Sequence, residues 1–499
     1  MVEAHELFQR VDAYAHALVL TLSDLLRFET VSGGEEADAA LLGRFEAETR
    51  RCLDYLRAFA QKHDLPYREH PEGVGVIEWG EGDETIGFAA HTDVVPPGDG
   101  WTQDPFGGAV VNDTVYGRGA QDNKGPLACG LYALLAVRAL GRPTRRKIRL
   151  IFGTREEGGN WTDIAAYLRK EPPPVNTIVP DATFPIINGE KGMLNIRLRL
   201  AAVHGLERKD GLRLDSIHAG ERFNIVPDLA VVRLSGPLGE RFDLTCGLQQ
   251  ELDAYEKSRL ILLGGPLSVA EDADAGRFIA AITFRGRSAH GSRPEEGHNA
   301  AVDALGYLVR LDLPAEPAAD FLGWAYCAGK DTVGEYLGVD HFHEFVGLST
   351  ASLNMLHLDA QGAEAIFNVR HSLGSLSGPL LERVRRELET HIPNPGGRPA
   401  IETYSIVHEP LFVDPQEFPE FFAALREAYR TATGREPRLK ATGGTTYAKA
   451  FPRAVSFGPV DEDAGEADLA HKADECVTRE VLVRNARIYA HALAALCLT

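Results

Sequence analysis

Apolar residues recur at helical spacing through residues 5–63, a stretch rich in Leu, Ala, Glu and Arg. The pattern predicts two helices, broken at the turn-forming Ser32-Gly33-Gly34. Short β-branched or apolar runs follow at Val74–Trp79 and Thr85–Ala90, then a loop dense in Gly and Pro over residues 96–108. Ala120–Leu140 reads as a helix. Lys147–Phe152 alternates charged and apolar residues before an apolar end, and Asn176–Val179 leads directly into Pro180-Asp181. Strands alternating with helices predict an α/β domain with a mostly parallel central sheet flanked by helices.

From about residue 192 the texture changes. Met193–Ala202, Leu229–Leu234, Phe278–Arg285 and Ala365–Val369 read as strands, and Asn299–Leu311 as a helix. Strands before helices, with long connections, predict an inserted α+β domain. Helical spacing returns at Gln416–Thr433, with Pro419 tolerable in the first turn, and again at Thr478–Leu498. The expected organisation is a catalytic domain built from residues 1–191 and 406–499, interrupted by an inserted lid domain at 192–405.

Length alone, 499 residues, exceeds what one hydrophobic core usually serves. The net charge of −20 argues against nucleic acid as the main partner, because phosphate binding requires a positive field. No apolar run approaches the ~20 residues that span a bilayer, so no membrane partner is expected. The N-terminal residues carry early acids and no signal-like apolar core. Six scattered cysteines without a C-x-x-C pair suit free thiols in a reducing compartment, and a cytoplasmic location is the expectation.

Candidate chemistry gathers where strands end. His91 and Asp93, in His91-Thr92-Asp93-Val94-Val95-Pro96, can point together beyond a strand's C-terminal end, and a metal-binding histidine usually needs a carboxylate to orient its ring and fix its tautomer. Asp122, in Gly117-Arg118-Gly119-Ala120-Gln121-Asp122-Asn123-Lys124-Gly125, sits where a helix could begin, as a ligand bridging two cations or as an ordinary N-cap. Glu156 and Glu157 lie between a strand and glycines, so one could bind metal while the other serves as a general base. Asp181 follows another apolar strand, and His471 follows a late loop. Each has an ordinary surface explanation. Together, two histidines and several acids form an N/O donor set suited to zinc, cobalt or manganese.

These segments, HTDVVP, GRGAQDNKG, GTREEGG and the late His471, occur in the order found in the cocatalytic zinc peptidase family. That family includes aminoacylases, carnosinases, succinyl-diaminopimelate desuccinylase and glutamate carboxypeptidases, and the sequence resembles it over nearly the whole chain. Residues 181–192 and Gly443-Gly444-Thr445-Thr446-Tyr447 look most like its PepV-type dipeptidase branch. The resemblance implies two divalent ions, zinc or alternatively manganese or cobalt, bridged by Asp122. His91 and Asp181 would complete one ion's shell, and Glu157 and His471 the other's. It further implies Glu156 as general base acting on a metal-bridging water, with Asp93 orienting His91. Phe284–Gly291 resembles the family's lid motif, making His290 a candidate oxyanion stabiliser. Asn224, Arg370 and Gly443 are the other implied substrate-binding positions, Arg370 for a substrate carboxylate. The loop at residues 460–470 is more acidic than the family's usual one.

The implied activity is metal-dependent hydrolysis of unblocked dipeptides by a monomer. The rivals are an N-acyl-amino-acid deacylase or carboxypeptidase on the same scaffold and, from another class, a metal-binding protein without catalysis. Glu156 beside a full ligand set argues against the last, since a pure binder needs no general base. A serine hydrolase is disfavoured because no G-x-S-x-G is present.

Overall fold

The computed structural model describes residues 4–32, 39–201, 206–259, 267–272, 275–314, 317–392, 398–405 and 407–499. Gly33, Gly34, Ala202 and Ile406, which the sequence reading assigned to a turn, a strand end and a domain boundary, lie outside the described residues. The chain forms two compact units, Met1–Gly189 with Leu411–Thr499, and Glu190–Pro410.

In the first unit, Lys147–Gly153, Thr85–His91, Asn176–Val179 and Ala454–Ser456 lie side by side and run parallel. Antiparallel strands extend this centre on both sides: Val74–Trp79 and Tyr67–His70 beyond Lys147–Gly153, and Ile186–Glu190 beyond Ala454–Ser456. Thr85–His91 is buried along its full length, as a strand covered on both faces should be. The helix Lys124–Arg138 packs against both the sheet and the closing helix Arg479–Cys497, and every residue from Lys124 to Val137 is buried. Its Gly130 meets the Phe88 ring, where an added Cβ would fall 2.4 Å from Phe88 Cε1.

Element ends depart from the sequence reading where local hydrogen bonds take up backbone donors. Tyr14 N–H bonds Val11 O at 2.9 Å, an i to i−3 contact that tightens the chain. The N-terminal region therefore holds three helices, Ala4–Ala13, Ala15–Leu26 and Ala39–Lys62, where two were expected. The helix expected from Ala120 begins at Lys124, because the preceding backbone is bound to Glu475. The helix expected from Gln416 begins at Pro419, Gln416 N–H being held by Asp414 Oδ1 at 2.8 Å.

The second unit is an eight-stranded antiparallel sheet. Its order is Ser268–Asp272, Arg277–Arg285, Leu229–Pro237, Arg213–Ala219, Thr350–Asp359, Gly362–His371, Gly192–Ala201 and Ala400–Thr403. The helices Ala300–Leu308, Pro317–Lys330 and Ser377–His391 pack on it and close a core of its own. This is the α+β insert, with an α/β unit formed by both ends of the chain.

Candidate metal centre

Parallel order turns distant positions into neighbours. Lys147–Gly153, Thr85–His91 and Asn176–Val179 are adjacent. At or just past their C-terminal ends lie Glu156 and Glu157, His91 and Asp93, and Asp181, on the side where open α/β sheets place ligands. Two loops complete the group. One leads into Lys124–Arg138 and carries Asp122; the other leads into the short strand Cys476–Thr478 ahead of Arg479–Cys497 and carries His471.

The Asp122 carboxylate spans two imidazoles. Its Oδ1 lies 3.0 Å from His91 Nε2 and its Oδ2 lies 3.0 Å from His471 Nε2. His91 Nε2 is also 3.4 Å from Asp181 Oδ1, and His471 Nε2 is 3.2 Å from Glu157 Oε1. Two clusters therefore share Asp122. Glu156 stands on the Asp181 side: His91, Glu156 and Asp181 bring ligand atoms within 4.8 Å of one another, as do His91, Asp122 and Glu157.

Asp93 is fully buried and holds the surrounding backbone. Its Oδ1 and Oδ2 accept the Glu156 and Glu157 N–H groups at 3.1 and 2.9 Å. His91 Nδ1 is 2.9 Å from the Asp93 backbone oxygen and 3.4 Å from its carboxylate. A neutral ring that donates from Nδ1 to this carbonyl keeps its Nε2 lone pair for a cation on the Asp122 and Asp181 side. Asn123 Nδ2 donates to Asp181 Oδ1 at 2.9 Å and to Pro180 O at 2.7 Å, fixing the third strand's acid.

The charges are crowded. Burial, then repulsion from Asp181, holds the Glu156 carboxyl well above the usual range. Burial pushes Asp181 up to about 7. Burial alone would favour neutral His91, but Asp181, Asp122 and Asp93 hold its pKa well above the ordinary value. Glu157, before the opposing cost of burial, does the same for His471. Four acids and two imidazoles this close call for positive charge. Two divalent ions supply +4 against −3 from Asp122, Asp181 and Glu157, so the donor set fits a pair of cations.

Several residues without an assigned role in the sequence reading support this cluster. The fully buried Glu475 accepts Gln121 N–H at 2.8 Å and Asp122 N–H at 3.0 Å on Oε1. Its Oε2 accepts Gly119 N–H at 3.1 Å and Arg118 Nη1 at 2.7 Å. Tyr447 donates to Asp163 Oδ2 at 2.6 Å, and that oxygen also accepts Thr154 N–H at 2.7 Å. The Tyr447 ring meets His91 edge-on, with centroids 6.0 Å apart. Only the closeness of Glu475 to His471 in the chain hinted at its place.

The other sequence-predicted positions divide between the units. Gly443 lies half-buried in the first, between Leu439–Thr442 and Tyr447–Ala450. Asn224, His290 and Arg370 lie in the second and come together there. Gly291 N–H donates to Asn224 O at 2.7 Å, and a Cβ on Gly291 would fall 2.7 Å from Asn368 Oδ1. That same oxygen accepts from Arg370 Nε at 3.1 Å. Burial draws the Arg370 guanidinium down to about 10 against the opposing charge of Glu190. His290 Nδ1 is 2.6 Å from Ser292 Oγ.

Comparison with known proteins agrees with this architecture. The family described as Peptidase family M20/M25/M40 matches residues 87–495. "Putative dipeptidase SH1171" of Staphylococcus haemolyticus is 29% identical over 493 residues, covering 98% of this chain and 99% of that protein. "Putative dipeptidase YtjP" of Bacillus subtilis is 29% identical, with 95% and 96% covered. Among solved structures, human carnosine dipeptidase 1 has a TM-score of 0.56 at 18% identity, with 99% of both chains covered. A metallo-carboxypeptidase of Sulfolobus solfataricus has a TM-score of 0.56 at 17% identity, covering 96% of this chain and 99% of its own. At these identities the two structures speak for the fold alone.

Proposed function

The chain belongs to peptidase family M20/M25/M40, a family of metal-dependent peptidases, and we propose that it hydrolyses the peptide bond of unblocked dipeptides. The observation that carries the reading is Asp122, reaching His91 with one oxygen and His471 with the other, beside the half-buried Glu156. His91, Asp122 and Asp181 would hold one divalent ion, and Asp122, Glu157 and His471 the other. Zinc suits this donor set, with manganese or cobalt as substitutes. Divalent ions held there would supply Lewis-acid chemistry, acidifying a water and polarising the scissile carbonyl.

Glu156 accepts the proton of the attacking water and returns it to the leaving nitrogen as the C–N bond breaks. Asp93 sets the direction of Glu156 and Glu157 through their backbone N–H groups, so one carboxylate aligns base and ligand together. From the resemblance of their motifs, His290 is proposed to stabilise the oxyanion, Arg370 to bind the substrate's carboxylate, and Asn224 and Gly443 to contact the substrate. Among the described residues no helix is long and apolar enough to cross a membrane. A cytoplasmic monomer is part of the same proposal.

Metal-stripped protein, resupplied in turn with zinc, manganese or cobalt, is tested on free dipeptides, their N-acetylated forms and tripeptides. Cleavage confined to free dipeptides and restored by metal is the expected outcome. Cleavage of the acylated forms alone would transfer the protein to the deacylases.

A further inference from the structure

The sheet of the inserted unit carries another pair of histidines. Arg213–Ala219 and Thr350–Asp359 are antiparallel with His218 opposite His357, and Gly362–His371 places Glu364 opposite His357. Directly opposed residues share a face, so His218, His357 and Glu364 form a row across three strands. The imidazoles meet nitrogen to nitrogen, Nδ1 to Nδ1 at 3.0 Å, with ring centroids 4.6 Å apart and planes inclined at 48°. They line an open cavity of about 650 Å³ together with Arg199, Ser216, Glu364 and Glu402. No residue of the Asp122 cluster lines it.

Two facing ring nitrogens have two uses. One can donate an N–H to the other, or both can direct lone pairs at one cation. With metal–nitrogen bonds of about 2.0–2.1 Å, a right angle separates two ligand nitrogens by about 2.9 Å and a tetrahedral angle by about 3.3 Å. The observed 3.0 Å falls between these values. His218 is exposed and His357 half-buried, so an ion can enter without opening the core. Glu364, next in the row, is paired through Oε2 with Arg197 Nε at 3.2 Å and Arg199 Nε at 3.5 Å, so the two imidazoles are the donors of the site. Paired imidazoles favour zinc, nickel or copper over magnesium or calcium.

We propose that His218 and His357 form an additional site for one divalent transition-metal ion on the inserted unit, with Glu364 as the neighbouring carboxylate of the row. The site is independent of the Asp122 cluster and takes ions that prefer nitrogen.

Zinc-loaded protein is titrated with Ni²⁺ by calorimetry, and bound zinc and nickel are counted by plasma mass spectrometry. Wild type is expected to take up one nickel per chain while keeping its zinc. His218→Gln and His357→Gln should each bind that nickel at least about tenfold more weakly. Both should keep wild-type peptidase activity, which also shows that they fold. His16→Gln, on the exposed side of an N-terminal helix, should bind as wild type does. Equal uptake by wild type and both cavity variants, or no uptake by wild type, would overturn the site.

Discussion

Replacing Glu475 by glutamine keeps the side chain's shape and removes its charge. The carboxylate accepts four hydrogen bonds: Gln121 and Asp122 N–H on one oxygen, Gly119 N–H and Arg118 on the other. A glutamine amide has one oxygen, and its NH₂ group would face two donors wherever that oxygen is placed. Two buried donors are then left without an acceptor, at about 1–3 kcal/mol each, or about 2–6 kcal/mol in all. Arg118, 1% exposed, also loses its counter-charge. Because one of the four bonds holds Asp122 itself, the bridging carboxylate loses its fixed direction, and metal affinity should fall about 10–100-fold, as for other lost supporting contacts. Urea unfolding of metal-free wild type and Glu475→Gln reads the first quantity, and chelator competition reads the second. A variant within about 1 kcal/mol of wild type would refute the satisfaction argument. Unchanged zinc affinity would refute the coupling to Asp122.

Other consequences follow from the same contacts. Glu156→Ala should lower kcat by at least about 10²–10⁴-fold while mass spectrometry still finds two metals per chain; near-normal turnover would remove the general-base assignment. Gly130→Ala would drive a Cβ to 2.4 Å from the Phe88 ring, and should cost about 1–3 kcal/mol in urea unfolding. The metal-free protein should lose stability as pH rises from about 4 to about 7, because folded Asp181 keeps its proton up to about 7 while the unfolded carboxyl loses it near 3.8. His91 and His471, both held above their ordinary 6.5, act in the same direction above that value, whereas Asp122, held below 3.8, contributes only in stronger acid. Thermal unfolding of metal-free protein at pH 5 and pH 8 tests the sign, and a higher midpoint at pH 8 would contradict it.

Local pattern carried much of this protein's description. An apolar run ending in His91, another ending before Glu156, and a third ending before Asp181 each record a buried strand giving way to a polar tip, a feature contained within a few residues. The closing helix Arg479–Cys497 was legible for the same reason, starting at a Thr478 side chain that caps Val481 N–H. Glycine-rich turns around Asp122 and the two acids after Gly153 marked where chemistry could sit. What these segments do to one another was not local. Asp122 meets both His91 and His471 because sheet order brings separate strand ends and loops together. Glu475 satisfies Arg118 across 357 positions of chain, and His218 meets His357 across 139. Alternation within a strand tells which face a residue takes, but register between strands decides which side chain stands opposite it. Strand order, register and the burial of unpaired donors are properties of the assembled sheet, so only the tertiary structure could supply them.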